Sequence, residues 1–150
     1  MSHTYSSIRI HAIFSTKERQ KRLREEIQPK LWAYIAGIAR HHAFKALDIG
    51  GVEDHCHALI LLPPTMPLSK AIQILKGCSS IWLNDTGVAG NNFAWQECYG
   101  AFSVSASQTQ EVVEYIKNQP EHHKKHNYGE EFLELLKRYG IAYDPVNVLG

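Results

Sequence analysis

The order of two hydrophobic periodicities along the chain is the feature that most constrains its fold. Residues 7–14 alternate apolar side chains with others, which is the two-residue repeat of a β-strand. Three further segments predict strands, at 44–52, 55–62 and 99–105, and there is room for a short strand at 93–95 before the last of them. The two long intervals between these strands carry a different repeat.

Both intervals have the three-and-four spacing of amphipathic helices. The first helix is predicted over 25–42, where Pro29 is tolerated only near the first turn. The second is predicted from Leu68 to a region near 84–87. The resulting order β-α-β-β-α-β is typical of a ferredoxin-like (RRM-like) α+β sandwich with an antiparallel sheet.

The chain continues beyond this unit with helical signals. Residues 107–110 fit a capping box, and the helix that they begin is predicted to reach about Gln119 and to be stopped by Pro120. A last helix is predicted over 130–139, with Gly140 as its C-cap glycine. Gly50 and Gly51, near the end of the strand predicted at 44–52, give a turn or bulge signal.

Length and composition favour one folded domain over residues 1–150. The chain is 44% hydrophobic and 21% charged, and it lacks an apolar run near the roughly 20 residues of a membrane span. Its N-terminus lacks the pattern of a secretory signal. Three cysteines without a CxxC pair favour neither disulfides nor a cysteine zinc site, so we expect a cytoplasmic protein without a membrane partner.

A basic cluster follows the first predicted strand, with five cations between residues 17 and 24. Such a cluster can contact the backbone of a nucleic acid, and a solvated loop is the alternative. The best candidates for backbone contacts to DNA are four side chains: Lys17, Arg19, Lys21 and Arg22.

His55 and His57 form the first element of a candidate site. Side chains two apart on a strand share one face, so both imidazoles project together while Cys56 points away. Two convergent imidazoles are half of a divalent metal site. The alternative is a surface histidine pair without a ligand.

Tyr115 and Gln119 form the second element, four residues apart on a predicted helix. Gln119 could add an uncharged oxygen to a metal held by His55 and His57. Because such a set neutralises none of the ion's charge, the ion would remain a strong electrophile toward phosphate. Tyr115 could then act as a nucleophile on that phosphate. The alternative for both residues is amphipathic packing.

Other polar and aromatic residues carry weaker signals. Tyr128 is a rival nucleophile, but a polar loop would fix its position poorly. The cluster His122, His123 and His126 contains a zinc-compatible pair, although a solvated turn after Pro120 is the simpler interpretation.

Three more residues allow two interpretations each. Asp54 could orient an imidazole as a carboxylate behind the metal ligands, or begin a strand. Trp82 and Trp95 could stack on unpaired bases, although aromatic residues at such spacing usually belong to a core.

The motifs together resemble the single-tyrosine HUH transposases. These are the short enzymes of the insertion-sequence two-hundred/six-hundred-and-five class and the related REP-associated tyrosine transposases. Residues 51–60 resemble their histidine motif, with Cys56 where the family favours a bulky aliphatic residue, and 115–123 resemble their tyrosine helix. Weaker similarities cover 11–17, 75–80 and 130–141.

The resemblance implies a function and a set of roles. Tyr115 would be the nucleophile, with His55, His57 and Gln119 as ligands of Mg²⁺ or Mn²⁺. The enzyme would cut and rejoin single-stranded DNA near hairpins through a 5′-phosphotyrosine, as a homodimer in which the tyrosine helix of one subunit can serve the other. Two alternatives remain: a hairpin-binding module without catalysis, and an unrelated zinc protein.

Overall fold

A four-stranded antiparallel sheet organises the chain, of which the computed structural model describes residues 3–150. Its strands are β1 (Arg9–Ser15), β2 (Lys45–Val52), β3 (His55–Leu61) and β4 (Gly100–Val104). The order across the sheet is β2-β3-β1-β4, and every neighbouring pair is antiparallel. This order is that of the ferredoxin-like sandwich, so the predicted α+β class is confirmed.

In the part of the chain that the structure describes, five α-helices cover the two faces of the sheet. They are α1 (Gln28–His41), α2 (Leu68–Thr86), α3 (Thr109–Lys117), α4 (Gln119–His122) and α5 (Tyr128–Arg138). Short 3₁₀ turns lie before α1, at Glu25–Ile27, and before α3, at Ala106–Gln108. Pro29 lies in the first turn of α1, where its missing N–H costs no hydrogen bond.

Helices α1 and α2 cover one face of the sheet. The strand residues on this face are small or apolar, and those in the middle of β1 and β3, such as Phe14 and Cys56, are fully buried. They pack with buried residues of the two helices, among them Leu31 and Leu75. This face is the main hydrophobic core and carries no candidate catalytic residue.

The opposite face is covered by the C-terminal helices. His55, His57 and Leu59 alternate with the core residues of β3 and therefore point to this side. Ile116 of α3 and Phe132 of α5 belong to two small apolar clusters here. Polar side chains fill the space between these clusters.

Gly50 and Gly51 lie within β2 and are not the turn that the sequence predicts. The turn is at 53–54, and the register shift in β2 lies between Ala46 and Asp48. A Cβ atom on Gly50 would lie 2.7 Å from Cγ2 of Ile116, and one on Gly51 would lie 2.2 Å from the His55 carbonyl oxygen. The absence of a side chain at Gly50 therefore allows α3 to approach the sheet closely.

The boundaries of the C-terminal helices differ from the predicted ones. The capping box is formed by Ser105 and Gln108, and not by the predicted residues 107 and 110. Strand β4 ends at Val104, so Ser105 is the first residue that can cap the next helix, and Gln108 lies three positions after it, as a capping box requires. Pro120 does not simply end a helix: α3 ends at Lys117, and Pro120 lies in the first turn of α4.

Helix α5 begins two residues earlier than predicted. The Asn127 side chain accepts a hydrogen bond from the Glu130 amide at 2.8 Å, which makes Asn127 the cap. Gly140 has a φ of +66°, and the amide of Ile141 donates to the carbonyl of Leu136. This confirms the predicted glycine cap.

The short strand predicted at 93–95 is not formed. Residues around this position make an isolated β-bridge, between Thr16 and Trp95.

Within residues 3–150, no helix combines the length and the apolar character needed to cross a membrane.

Candidate active site

The two histidines of β3 form the floor of the site. His55 and His57 are fully buried on the face below the C-terminal helices, whereas Cys56 lies in the core on the other face. Their Nε2 atoms lie 3.2 Å and 3.1 Å from one oxygen, Oε1 of Glu131. The predicted convergence of the two imidazoles is therefore present.

Each imidazole is held through its other nitrogen. Nδ1 of His55 lies 2.7 Å from Oδ1 of Asp54, and Nδ1 of His57 lies 2.7 Å from Nε2 of His11. Since the Nδ1 atoms are engaged in this way, both Nε2 atoms face the same space. Asp54 thus lies where the sequence analysis placed it, and His11 is an additional partner.

The surroundings shift the pKa values of these rings in opposite directions. Burial lowers the pKa of His55, but the carboxylates of Asp54 and Glu131 outweigh it and raise that pKa to about 9. Burial, together with the neighbouring His57, lowers the pKa of His11 to about 3. Burial also lowers the pKa of His57. His11 is therefore neutral at physiological pH.

The junction of α3 and α4 brings Gln119 into the same space. The backbone leaves helical geometry at Asn118, and α4 begins at Gln119, whose side chain is fully buried. Its Oε1 lies 3.1 Å from Nε2 of His55, and its amide nitrogen donates to Oε2 of Glu131 at 2.9 Å. An amide oxygen therefore faces the histidine pair.

Tyr115 lies on α3, four residues before Gln119, beside the same cluster. Its hydroxyl donates to Oε2 of Glu131, and its ring centroid lies 5.6 Å from that of His57. Burial and the negative charge of Glu131 raise the pKa of the phenol, so it is protonated at neutral pH. Tyr115, His55, His57 and Gln119 thus meet in one pocket of a single chain.

Glu131 of α5 occupies the centre of the cluster, and the sequence analysis missed it. Its side chain is 1% exposed, and burial alone would raise the pKa of its carboxyl, but His57, His123 and His55 hold that pKa well below its usual range. A signal was available, because a glutamate shares the buried stripe of α5 with Phe132 and Leu135.

The histidines after Pro120 do not all lie in a solvated turn, so that interpretation is wrong for two of them. His122 is half-buried on α4, and its Nε2 lies 3.5 Å from Oε2 of Glu131. Nε2 of His123 lies 3.1 Å from Oε1 of Glu131, and its ring centroid lies 4.4 Å from that of His55. His126 is exposed. The short helix α4, which the sequence analysis did not predict, turns His123 inward.

Tyr128 is not a loop residue, so the argument that its position is poorly fixed is wrong. It is the first residue of α5 and is buried, and its hydroxyl donates to Oε1 of Gln96 at 2.9 Å. Its ring lies against His55, with centroids 4.9 Å apart. The Tyr128 ring therefore forms one wall of the site, while its hydroxyl is bonded to Gln96 and not to the candidate ligands.

Trp82 and Trp95, the two tryptophans considered for stacking on bases, pack against other protein groups. The indole of Trp95 is buried in the main core and donates to the hydroxyl of Ser79 at 2.9 Å. Trp82 stacks on Tyr34, with ring centroids 4.7 Å apart.

The basic segment lies at the edge of the site and its four cations are in different situations. Lys17 and Lys21 are exposed. Arg19 is exposed and donates to the carbonyl of Leu149 at 3.1 Å. Arg22 donates to the carbonyls of Ala89 and Asn91, at 2.6 Å and 2.7 Å, so its guanidinium fastens a loop of its own chain.

A groove connects this segment to the histidine cluster. It has a volume of about 400 Å³, and its lining includes Lys21, Asp54, His123 and Lys124. Since Asp54 and His123 also contact the site, the groove opens beside the candidate ligands.

The donor atoms fit a divalent cation. One nitrogen from each of His55, His57 and His123 and one oxygen of Glu131 all lie within 4.8 Å of one another. The Gln119 oxygen is 3.1 Å from Nε2 of His55. Imidazole, amide and carboxylate donors are ligands that Mn²⁺ and other first-row ions accept.

The sequence places the chain in a family of transposases. Residues 4–119 match the family described as "Transposase IS200 like", and the chain belongs to this family. The family resemblance seen in the sequence is therefore confirmed, and transposition of DNA is the activity that the family supports.

The chain is similar to curated transposases over most of its length. It is 26% identical over 129 residues to the transposase for insertion sequence element IS200 from Salmonella typhimurium. The match covers 83% of this chain and 84% of that one, and the same figures hold for the Salmonella typhi protein of the same name.

Two solved structures share the fold. A Deinococcus radiodurans protein described as a transposase superposes with a TM-score of 0.62 at 21% identity, over 79% of this chain and 95% of that one. A REP-associated tyrosine transposase bound to a REP hairpin superposes with a TM-score of 0.56 at 17% identity, over 82% and 74%.

Proposed function

We propose that this transposase cuts and rejoins single-stranded DNA, with Tyr115 as the nucleophile. The observation that carries the proposal is that the Tyr115 hydroxyl, the Nε2 atoms of His55 and His57 and the Gln119 side-chain amide converge around one buried carboxylate. A phenol beside a set of metal-binding groups suits attack on a phosphodiester.

In the proposed reaction the Tyr115 oxygen forms a bond to phosphorus, and the bond from phosphorus to the 3′ oxygen breaks. The phenol loses its proton and the leaving 3′ oxygen gains one, so the products are a 5′-phosphotyrosine and a free 3′-hydroxyl. Attack by a 3′-hydroxyl on the phosphotyrosine reverses the step and rejoins DNA. Glu131 holds the Tyr115 hydroxyl in a fixed position before attack.

His55, His57 and Gln119 would hold a divalent cation, which the family resemblance suggests is Mg²⁺ or Mn²⁺. When bound there, such an ion polarises a phosphate oxygen and stabilises the charge that develops on it. Asp54 and His11 fix the rings that would bind it.

The proposed substrate is single-stranded DNA next to a hairpin. The structural similarity to a transposase bound to a REP hairpin supports it, as do the groove beside the site and the exposed Lys17 and Lys21. The family resemblance also suggests a homodimer, which sedimentation at micromolar concentration would test.

An oligonucleotide with a subterminal hairpin and a suicide cleavage site tests the nucleophile. We expect a covalent adduct that survives SDS, requires a divalent metal and disappears in Tyr115→Phe. Tyr143→Phe is the matched control, because Tyr143 is an exposed tyrosine. Tight binding by the wild-type protein without an adduct would instead support the hairpin-binding module.

The alternative of an unrelated zinc protein makes a different prediction for Gln119. A zinc site built from histidines would depend little on the amide, so Gln119→Ala would leave metal content unchanged. We expect Gln119→Ala to weaken Mn²⁺ binding, as measured by calorimetry.

A further inference from the structure

The two carboxylate oxygens of Glu131 face two different sets of groups. Oε1 lies 3.1–3.2 Å from the Nε2 atoms of His55, His57 and His123. Oε2 accepts hydrogen bonds from the amide of Gln119 and from the hydroxyl of Tyr115. One residue therefore contacts both the candidate ligands and the candidate nucleophile.

The buried carboxylate of Glu131 lies in a site that contains a second carboxylate. Burying an ionised group is costly unless other charges and hydrogen bonds compensate it. Among residues 3–150, every ion-pair partner of Glu131 within 4.0 Å is a histidine, and the carboxylate of Asp54 lies behind His55. A divalent cation among these groups would add two positive charges next to the Glu131 carboxylate.

We propose that Glu131 has two roles in this site. Its Oε1 is the anionic ligand of the divalent cation, and its Oε2 makes Glu131 the positioning residue for Tyr115. The proposal rests on the proposed function, because it concerns the same ion and the same nucleophile. It adds a carboxylate to a ligand set that the sequence analysis built from neutral groups alone.

The imidazoles that share the site with Glu131 decide which ion it should prefer. A set with two or three imidazole nitrogens and a carboxylate oxygen suits a first-row ion better than Mg²⁺, which prefers oxygen ligands and retains water. We therefore expect the full chain to bind Mn²⁺ more tightly than Mg²⁺. Equal or tighter binding of Mg²⁺ would contradict the proposed ligand set.

Mn²⁺ titration of Glu131→Gln tests the ligand role. This substitution keeps the shape of the side chain and removes its charge, so we expect the Mn²⁺ affinity to fall by about tenfold or more, within the range known for groups around metal sites. Glu134→Gln is the matched control, because Glu134 lies on the same helix and is exposed. Unchanged affinity in Glu131→Gln would overturn the ligand role.

A measurement on the wild-type protein makes the test independent of the variant's folding. Protein labelled with ¹³C at the glutamate carboxylates is loaded with Mn²⁺, and electron–nuclear double resonance then measures the coupling of ¹³C to the ion. We expect the strong coupling of a directly bound carboxylate. Its absence would overturn the ligand role even if Glu131→Gln failed to fold.

The adduct assay at saturating Mn²⁺ tests the positioning role. When excess Mn²⁺ keeps the site filled, Glu131→Gln should still form the phosphotyrosine adduct more slowly than wild type, with unchanged DNA affinity. A wild-type rate under these conditions would overturn the positioning role. Failure of the proposed function has a different signature, since the wild-type protein would then form no adduct while its Mn²⁺ affinity still depended on Glu131.

Discussion

His11 of β1 contacts His57 of β3 through their rings, with Nε2 of the first 2.7 Å from Nδ1 of the second. If Nε2 of His57 offers its lone pair to a metal, its Nδ1 carries the hydrogen and donates it to His11. His11 then fixes both the tautomer and the orientation of His57, as a carboxylate often does for metal-bound histidine.

His11→Ala should therefore weaken Mn²⁺ binding by about tenfold, because the His57 ring loses the partner that orients it. Calorimetric titration measures the change. His126→Ala removes an exposed histidine and serves as the control. Wild-type affinity in His11→Ala would show that the His57 ring needs no support from β1.

Gly50→Ala should destabilise the protein by about 1–3 kcal/mol, because the new methyl group would lie 2.7 Å from Ile116 on the helix that carries Tyr115. Urea unfolding followed by circular dichroism measures this. Gly77→Ala provides the opposite result: a Cβ there has free space within α2, so a gain of about 0.5–1 kcal/mol is expected. Equal effects of the two substitutions would contradict the close approach of α3 to the sheet.

The thiols of Cys56 and Cys98 should differ in reactivity toward iodoacetamide. Cys98 is exposed, whereas Cys56 is buried in the main core and burial raises the pKa of its thiol. Mass spectrometry of native protein should find Cys98 alkylated and Cys56 unmodified until denaturant is added. Early modification of Cys56 would contradict its position below α1 and α2.

The basic segment should affect the salt dependence of DNA binding unequally. Lys17 and Lys21 are exposed, so changing both to Gln should reduce the slope of log affinity against log salt. The expected reduction is about 0.7 for each DNA phosphate that the protein no longer neutralises. Fluorescence anisotropy with a labelled single strand measures the slope.

Arg22→Gln is the informative comparison, because the Arg22 guanidinium is engaged with Ala89 and Asn91. We expect this variant to lower the unfolding midpoint and leave the slope unchanged. If only Arg22→Gln reduced the slope, Arg22 would be the residue that contacts DNA phosphate. The sequence analysis includes that role among its candidates.

Local periodicity was enough to predict part of the site. The helix predicted to reach Gln119 ends at Lys117, but the two-residue repeat of a strand places His55 and His57 on one face and the helical repeat places Tyr115 on α3. These relations depend on neighbours in the chain, so a single sequence contains them.

The residues that sequence reasoning missed depend on long-range packing. His11 meets His57 only because β1 pairs with β3 in one particular register, and Glu131 reaches the histidines only because α5 packs over the sheet. Neither relation is encoded by local spacing. The error at Tyr128 was local, because Asn127 was not identified as the cap of α5.

The side chains of β3 point alternately into the apolar core and into the candidate site. The register between β3 and β1 decides which residue of β3 lies opposite which residue of β1. Phe14 lies opposite Cys56 and Ile13 opposite His57. A slip of one residue would put both imidazoles into the apolar interior and leave a thiol facing the tyrosine. The chemistry of this protein therefore depends on the pairing of β1 with β3, because that pairing keeps the apolar and the polar side of one strand from exchanging places.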